Sequence, residues 1–514
     1  MQYAPDRHAS NMESCCLYPI ALTLFFILLL YKYLTRNHGY WKARGIPEAK
    51  GAVIGVGHVL DQVLLRKNMG MMTDVFYKAH PHDSMVGIYV AQTPVLVVRH
   101  PDLVKFVLSS GFTYFSDNIT LDKKTDPLLF HDPFFQNGQG WKDARGVFVS
   151  AFSSKKLKDR IPAISATCEK LVNYLREKCG KTGSVELEIK DLFEKYTLDV
   201  GANSILSIDG HTFVDKVETH SLRSMMHSMF KITDSIGYAQ NLIILLPALG
   251  KLLSTGFAPK WVNVGFKRMV EDIKSMRGSD KTARNDVLQH IADYLREKGL
   301  DSDELAAHAF SFIVEQYETS SSTLGLMAYF AAKYPKVQEK MREEVEEVLK
   351  KHGNICSYEA INDMTYIEQV AKESLRLFTP VGRMSRLCSK QVTLEGPDGL
   401  TCTLRPGDEV HIPVASLHMD PQYWENPEEF LPERFDKDCE EQRHKFVYLA
   451  FGEGPRMCPG MRMGLLQVKA GMAAILKNYV IERSERMNEP ARLDPRYFLV
   501  SINGGIWVRL RSRT

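Results

Sequence analysis

Apolar residues recur at helical spacing over most of this chain. The clearest stretches are residues 155–179, 262–277, 301–334, 335–352 and 366–378. In each, apolar positions three and four apart would line one face of a helix. The stretch 301–334 opens with the acidic sequence DSDE and ends before a proline, which are the usual signals of a helix start and stop. Such a helix would be about 45 Å long and could form the wall of a buried site.

Short β-branched runs predict a smaller β region. Residues 85–90 (MVGIYV) and 94–99 (PVLVVR) are separated by three residues, which is typical of a hairpin. Residues 392–414 contain two groups of Gly and Pro between short extended runs, and such turn residues favour further strands. The chain is therefore expected to be mainly α with a smaller β region.

The N-terminal part has a different pattern. Residues 17–31 (LYPIALTLFFILLLY) are uncharged, and Lys32 and Arg36 follow them. A cleaved signal peptide would carry its basic residues before the apolar run, so we expect an anchor, with the rest of the chain in the cytosol by the positive-inside rule. The predicted organisation is an N-terminal segment and transmembrane anchor (1–33), a linker (34–50) and a catalytic domain (51–514).

Charge and cysteine content add two expectations. The 65 basic and 62 acidic residues leave a formal net charge of +3, so no global field favours nucleic acid as a partner. Nine cysteines are dispersed along the chain. They show neither zinc-site spacing nor a disulfide framework, and we expect free thiols in a reducing compartment.

One segment carries specific chemistry. Residues 451–460 read FGEGPRMCPG, with Phe451, Gly454, Arg456, Cys458 and Gly460 at fixed offsets. Taken alone, a cysteine in a glycine-rich loop is more often a buried structural thiol. The whole segment, however, resembles the cysteine-ligand loop of the cytochrome P450 family. The resemblance implies a cytochrome P450 fold with an N-terminal anchor helix, and haem b with Cys458 as the axial thiolate ligand of its iron.

Further motifs resemble the same family. The resemblance implies that Phe451 packs against the haem ring and that Arg456 donates to a propionate. Trp141 and Arg145 in WKDAR, and Arg386 in the segment RLFTPVGRMSR, resemble the other propionate contacts. A tryptophan with an arginine one turn later can also be an ordinary stacked surface pair.

Glu373 and Arg376 in KESLRLF lie one helical turn apart, and Arg434 follows in LPERF. An ordinary surface ion pair is one interpretation of the first two. All three together resemble the family's Glu, Arg, Arg cluster, which implies a structural role. Removal of one member would leave a buried charge uncompensated, at a cost of roughly 3 to 5 kcal/mol.

The long helix holds the residues that would supply protons. Glu318 and Thr319 in VEQYETSSS resemble the family's acid-threonine pair, which delivers protons for cleavage of dioxygen. The alternative is a Thr319 that merely bonds a backbone carbonyl of its own helix. Glu315 and Gln316 stand where the family usually has Ala-Gly, and both side chains are expected to project toward the haem or its rim.

A fatty-acid-hydroxylating branch of the family has glutamate at the position that matches Glu315, ester-linked to a haem methyl group. The resemblance therefore raises a haem crosslink through Glu315 as a hypothesis. A noncovalent Glu315 that is paired locally is the alternative.

The resemblance extends over most of the chain and is strongest to the microsomal, xenobiotic-oxidising branch, with its vertebrate drug and steroid oxidases and insect relatives. It implies an endoplasmic reticulum enzyme that inserts one oxygen atom from O2 into lipophilic small molecules. Electrons would come from NADPH through a flavoprotein reductase, with cytochrome b5 as another partner, because the chain has no nucleotide-binding fingerprint of its own. A haem-thiolate isomerase or dehydratase and a non-catalytic haem or lipophile-binding protein are the alternatives.

Two surface features bear on these partners. Residues 241–253 (NLIILLPALGKLL) are apolar enough to dip into a bilayer, but an internal helix is equally compatible with them. A basic docking face for the reductase is expected on the cysteine side. Its candidate residues are Lys142, Lys155, Lys156, Lys158, Arg443, His444 and Lys445.

Overall fold

The computed structural model describes residues 8–278, 286–300, 304–353 and 356–513. The helices in this part of the chain are α1 (His8–Thr35), α2 (Leu60–Val63), α3 (Met69–Ala79), α4 (Pro101–Lys105), α5 (Gly138–Ala151), α6 (Ser154–Lys158), α7 (Ile161–Cys179), α8 (Ile189–Leu206), α9 (Leu222–Phe230), α10 (Asp234–Leu245), α11 (Pro247–Leu252), α12 (Lys260–Gly278), α13 (Val287–Lys298), α14 (Leu305–Lys333), α15 (Pro335–Lys351), α16 (Tyr358–Asp363), α17 (Thr365–Leu377), α18 (Val414–His418), α19 (Lys437–Gln442) and α20 (Met461–Asn478).

The strands are β1 (Met85–Val90), β2 (Thr93–Val98), β3 (Ser184–Glu188), β4 (Met384–Leu387), β5 (Val392–Glu395), β6 (Thr401–Leu404), β7 (Glu409–Ile412), β8 (Tyr479–Arg483) and β9 (Trp507–Ser512). They form sheets of order β1-β2-β7-β4, β3-β9-β8 and β5-β6. The predicted hairpin is β1 and β2, which pair antiparallel with Met85 opposite Val98. The expectation of a mainly α fold with a smaller β region is confirmed.

One predicted helix is interrupted. The stretch 155–179 is divided into α6 and α7, with a break at Asp159 and Arg160. Pro162 lies in the first turn of α7, where its missing N–H costs nothing, whereas inside a continuous helix it would remove a hydrogen bond. The acidic start predicted for the long helix, residues 301–303, lies outside the described residues.

The long helix α14 runs through the middle of the molecule and packs against α8, α17 and α20. Most of its side chains are buried, and Phe312 stacks on Phe148 of α5 with ring centroids 3.9 Å apart. Helix α20 begins directly after the cysteine loop. This packing brings the middle of α14 to the loop that carries Cys458.

The N-terminal helix is separate from the core. Helix α1 contains an apolar window, Tyr18–Thr35, that is long enough to cross a membrane and has none of its residues buried against protein. The segment predicted as a linker, residues 34–50, is not a free connection. Trp41 is buried and donates to the carbonyl of Ile88 at 2.9 Å, and Ala49 N–H bonds the carbonyl of Gly87 at 3.0 Å. The end of the anchor is therefore fixed to the globular part.

Candidate haem site

The cysteine loop places a half-buried cysteine at the start of a helix. The N–H of Cys458 donates to the carbonyl of Phe451 at 2.7 Å, which closes the loop. Backbone N–H groups of Gly460 and Met461 are directed at the sulfur. Burial raises the pKa of the Cys458 thiol to about 11, and nearby Glu315 adds to the rise. Backbone N–H groups at the start of a helix stabilise an anion. They would therefore stabilise Cys458 as a thiolate when a metal cation binds its sulfur.

A glycine makes the loop possible. Gly454 has a φ of 76°, in the left-handed region, and a Cβ there would lie 1.9 Å from the carbonyl oxygen of Leu108. No other residue type fits both the conformation and this close approach. The loop that carries Cys458 therefore requires a glycine at position 454.

A buried arginine lies near the loop without a counter-charge. Arg386 of β4 is buried and donates to the carbonyl of Ser385 at 2.7 Å. Among the described residues no carboxylate forms an ion pair with it. Burial, followed by repulsion from Arg456, lowers the pKa of Arg386 to about 9. A buried cation in this state calls for an anionic ligand, and the propionates of a haem fit that requirement.

Arg456 is mostly occupied by protein. Its guanidinium donates to the carbonyl oxygens of Ser116 (2.6 Å), Pro133 (3.2 Å) and Gln136 (2.8 Å) and to the side chain of Asn137 (3.0 Å). It also lies over the Trp141 ring, 4.7 Å from its centroid. An arginine has five N–H donors, so one is left for a propionate. Arg456 therefore holds the segment 116–137 beside the site.

Arg145 lies at the other side of the loop. It donates to the carbonyl of Met457 at 2.5 Å and interacts electrostatically with Cys458. Burial lowers the pKa of Arg145. The structure thus brings Trp141, Arg145, Arg386, Arg456 and Cys458 to one region, and their role in holding a haem stays a prediction.

The Glu, Arg, Arg cluster is present. Both Glu373 and Arg376 are fully buried and joined by two hydrogen bonds of 2.6 and 2.8 Å, and Arg434 lies 3.4 Å from Glu373. Arg376 also donates to the carbonyls of His418 (2.9 Å) and Pro427 (2.7 Å). These contacts tie α17 to the segment that leads to the cysteine loop, which is the structural role expected.

The acid-threonine pair is not brought together on the cysteine side. Glu318 is buried and lies 2.9 Å from Lys190 of α8, with Ser322 donating to it at 3.4 Å. The hydroxyl of Thr319 instead donates to the main-chain oxygen of Glu315 at 2.6 Å. The ion pair holds the Glu318 carboxylate toward α8, so its part in a proton relay stays a prediction that this geometry does not favour.

Glu315 faces the site. Its side chain is accessible although it lies deep in the protein, and it interacts electrostatically with Cys458. It therefore lines the interior space between α14 and the cysteine loop. Burial raises the pKa of the Glu315 carboxyl to about 8, and the carboxylate of Asp132 contributes. A carboxyl in this state holds its proton at neutral pH.

The expectation for Gln316 was wrong. Gln316 points to α8, where its amide donates to the carbonyl of Thr197 at 3.4 Å and occupies the space beside Gly201. Successive residues of a helix are turned by about 100°. Gln316 is therefore rotated away from the haem side, and Gly201 gives it room.

Three site residues were missed from the sequence: Asp132, His308 and Ser311. The last two precede Glu315 at helical spacing on α14, which was the available signal. Asp132 lies in a loop whose path no local pattern predicts. Burial raises the pKa of Asp132 to about 6.

The expected basic docking face is only partly free. Lys142 and Lys155 are exposed. Lys158 is paired with Glu359 at 2.5 Å. Arg443 stacks over Trp424, 3.9 Å from its centroid, and so belongs to the packed interior of this region. Of the remaining candidates, Lys445 is paired with Glu453 and His444 with Asp102.

Comparison with known proteins agrees with this geometry. The family model described as Cytochrome P450 matches residues 52–507. Probable cytochrome P450 28d1 of Drosophila melanogaster is 32% identical over 96% of this chain and 99% of its own length. Cytochrome P450 6B2 of Helicoverpa armigera (29%; 96% and 98%) and cytochrome P450 9e2 of Blattella germanica (29%; 98% and 99%) are similar over the same extent. This chain therefore belongs to the cytochrome P450 family of haem-dependent monooxygenases, among relatives of the insect type.

Proposed function

We propose that this chain inserts one oxygen atom from O2 into lipophilic small molecules and takes its electrons from NADPH through a flavoprotein reductase. The second oxygen atom leaves as water. The observation that carries the proposal is the position of Cys458. Its sulfur lies beneath backbone N–H groups at the start of α20 and close to Glu315 in the middle of α14. Haem b, when bound, supplies the oxygen activation.

The chain has residues suited to hold the cofactor. The Cys458 sulfur would bind the haem iron, and Phe451 would lie against the haem ring. Arg386 has a guanidinium with unused donors and no protein counter-charge among the described residues. Together with Arg145 and the remaining N–H of Arg456, it would hold the propionates. Each such bond to a charged group contributes about 1.5 to 3 kcal/mol.

On the side of the site that α14 forms, one carboxyl is placed to take part in the reaction. The Thr319 hydroxyl donates to the Glu315 main chain, so its oxygen is left to accept a hydrogen bond and can orient a water molecule or substrate group. The Glu315 carboxyl, protonated near neutral pH, is the group placed to release a proton. We therefore assign the proton-donating role to Glu315 with Thr319, and a structural role to Glu318 and Lys190.

Two other functions were open from the sequence. A haem-thiolate isomerase or dehydratase acts on a peroxide without NADPH and needs no proton donor, so the protonated Glu315 favours the monooxygenase. A non-catalytic binding protein would give ligand-induced spectral shifts without turnover.

Reconstitution with a flavoprotein reductase, NADPH and a panel of lipophilic probes decides between these functions. NADPH oxidation, peroxide release and oxygenated product are recorded together, and Glu315→Ala is run beside the unaltered protein. We expect oxygenated product from the unaltered protein. NADPH consumption that ends only in peroxide, or conversion of an organic hydroperoxide without NADPH, would contradict the proposal.

A covalent ester between Glu315 and a haem methyl group is the competing proposal for this position, supported by the proximity of the carboxyl to Cys458, and it would leave Glu315 without a proton to donate. Extraction with acidified organic solvent distinguishes a covalently linked haem from a noncovalently bound one. A crosslinked haem stays with a peptide that contains Glu315 in mass spectra. A haem that leaves intact shows that Glu315 is noncovalent.

We propose an endoplasmic reticulum location with the catalytic part facing the cytosol. Helix α1 supports it, and so does an apolar patch on α11, where the exposed leucines include Leu249, Leu252 and Leu253. Helix α10, which leads into this patch, is joined to α2 by a hydrogen bond of 3.0 Å between Gln62 and Asn241. An exposed apolar patch on a membrane-anchored protein is suited to contact the bilayer.

For the reductase, and for cytochrome b5 as a second partner, we propose docking on the cysteine side through Lys142 and Lys155. Docking through exposed charges is screened by salt. Reversal of both charges with Glu is expected to raise the reductase concentration needed for half-maximal turnover, and added salt is expected to narrow the difference. An unchanged dependence on reductase would place the docking face elsewhere.

A further inference from the structure

A row of polar side chains lies on one face of α14. Glu304, His308, Ser311 and Glu315 follow one another at spacings of four, three and four residues, so they share one face and extend over roughly 16 Å of helix. It is the face turned away from α8. The 3-10 turn that ends at His131, and Asp132 after it, pack beside this row.

The outer end of the row reaches the surface. Glu304 has 28% of its side chain exposed and lies 3.3 Å from Nδ1 of His131 and 3.6 Å from Nε2 of His308. The hydrogen bond with His308 lowers the pKa of the Glu304 carboxyl. Solvent protons thus have an entry at a carboxylate that touches both histidines.

The middle of the row contains polar atoms without partners. Asp132, His308 and Ser311 are each at least 98% buried. Asp132 Oδ1 accepts the N–H of Phe134 at 2.7 Å. Among the described residues, however, Asp132 Oδ2, His308 Nδ1 and Ser311 Oγ complete no hydrogen bond of good geometry, although the Ser311 hydroxyl lies close enough to Asp132 to lower its pKa. Buried polar groups in this state are normally satisfied by ordered water.

These three groups are close together. The Ser311 hydroxyl and His308 both act on Asp132 and lower its pKa against the larger effect of burial. The rings of His131 and His308 lie 6.4 Å apart. The carboxylate of Asp132 in turn raises the pKa of the nearby Glu315 carboxyl. The groups therefore form a continuous series from Glu304 at the surface to Glu315 beside the cysteine loop.

We propose that this series, bridged by water at Ser311, Asp132 and His308, carries solvent protons to Glu315 for the oxygenation reaction. The inference rests on the proposed function. It names a delivery route on the face of α14 opposite to α8, in place of the Glu318 carboxylate that Lys190 holds. Glu315 acts on the reacting atoms, and Asp132, Ser311 and His308 act through it as positioning residues.

The proton balance is simple. Each turnover takes in one O2, two electrons from NADPH through the reductase, and two protons. One oxygen atom enters a C–H bond of the substrate and the other leaves as water. Each proton that Glu315 releases is replaced from the bridging water and Asp132, and the last replacement comes from Glu304 at the surface.

The charges that face the series are few. Glu315 interacts with Asp132 and Cys458. At the outer end, the charge of Lys123 lowers the pKa values of both His131 and Glu304, and the charge of Lys267 lowers that of His131. Burial lowers the pKa of His131, Glu304 opposes this effect and the two lysines add to it, so a neutral His131 ring that can pass a proton between its two nitrogens is favoured.

The test uses the haem-loaded full chain with reductase, and three substitutions. Glu315→Gln is expected to lower product formation on the order of 10²-fold, the usual contribution of a positioned acid. Ser311→Ala and Asp132→Asn are expected to raise peroxide per NADPH several-fold and to change the solvent isotope effect on product formation. Ser321→Ala is the matched control, because Ser321 is equally buried on α14 but is satisfied by the main chain of Glu318 at 3.1 Å.

A second measurement does not depend on turnover. Infrared difference spectra follow the band of a protonated carboxyl as pH changes, and Glu315→Gln identifies it. Because Asp132 raises the pKa of Glu315, Asp132→Asn is expected to move the titration to lower pH, whereas Ser321→Ala leaves it in place.

The outcomes separate the two proposals. If the unaltered protein makes no product, the proposed function fails, and the infrared titration alone decides whether Asp132 and Glu315 are connected. The inference is overturned if Ser311→Ala behaves like Ser321→Ala in peroxide release, or if the Glu315 titration does not respond to Asp132→Asn.

Discussion

Burial determines the charge state of each group around the cysteine loop. It raises the pKa of Glu315 to about 8 and of Cys458 to about 11, and lowers that of Arg386 to about 9. The motif predicted the residues at two of these positions well, because Cys458 and Arg386 come together as expected. It did not predict that Glu318 would turn to Lys190, since that depends on how α8 packs against α14.

Arg386 gives a prediction about cofactor retention. Arg386→Gln removes a charged donor that has no protein counter-charge among the described residues, so haem loss to a scavenging protein is expected to become about 10 to 100 times faster, as for the loss of one charge-assisted bond. Arg405→Gln, at an exposed position, is the control and is expected to leave the rate unchanged. Equal rates for both variants would remove Arg386 from the cofactor site.

Glu315 gives a prediction about pH and stability. Its pKa is raised from 4.5 to about 8 in the folded protein, so the folded state binds more protons than the unfolded state between these values. The free energy of unfolding therefore falls as pH rises through this window. Glu315→Gln is expected to flatten the fall in urea unfolding of the holoprotein between pH 5 and 8. A slope unchanged by the substitution would show that Glu315 titrates normally.

Among the helices, the spacing of apolar residues along the chain predicted the bounds of several elements well. The predicted stretch 366–378 corresponds to α17 (Thr365–Leu377), and 335–352 to α15 (Pro335–Lys351). The break at Asp159 and Arg160 was missed because the spacing of apolar residues alone does not separate two consecutive helices. The row on α14 was missed for another reason, since its importance depends on Asp132, which the fold brings from a distant loop.

The turn at Gly454 gives a prediction about the cysteine loop. Gly454→Ala would place a Cβ 1.9 Å from the carbonyl oxygen of Leu108, whereas a Cβ at Gly399 meets nothing within 4 Å. Both glycines have positive φ, 76° and 84°, so the pair isolates the contact from the backbone strain. Gly399→Ala is expected to cost about 1 kcal/mol. Gly454→Ala is expected to cost about 3 kcal/mol or more and to reduce haem content. Similar costs in thermal unfolding would show that the loop can shift.

At the scale of the whole molecule, the sequence predicted a membrane anchor and one large catalytic part. The linker expected at residues 34–50 is instead packed on the core through Trp41. Trp41 contacts Ile88 of β1, 47 residues further on, so the local sequence gives little signal that this large side chain is buried.

Charged substitutions within α1 test whether this helix anchors the protein in a membrane. Leu24→Asp with Leu28→Asp places two carboxylates in the apolar window of α1, each costing about 2.5 to 3.5 kcal/mol at the centre of a membrane helix. The doubly substituted protein is expected to leave the membrane fraction after alkaline extraction. Val264→Asp, at an exposed position on α12, is the control and is expected to stay with the membrane. Retention of the doubly substituted protein would mean that α1 is not the anchor.

The central claim is that Cys458 is the thiolate ligand of a haem, and the carbonyl spectrum of the reduced protein tests it most directly. The unaltered protein is expected to show the red-shifted band of a thiolate-ligated haem. Cys458→His is expected to lose that band while it still binds haem, and Cys439→Ser, at an exposed free cysteine, is expected to keep it. A thiolate band that persists in Cys458→His, or is absent from the unaltered haem-loaded protein, would contradict the account.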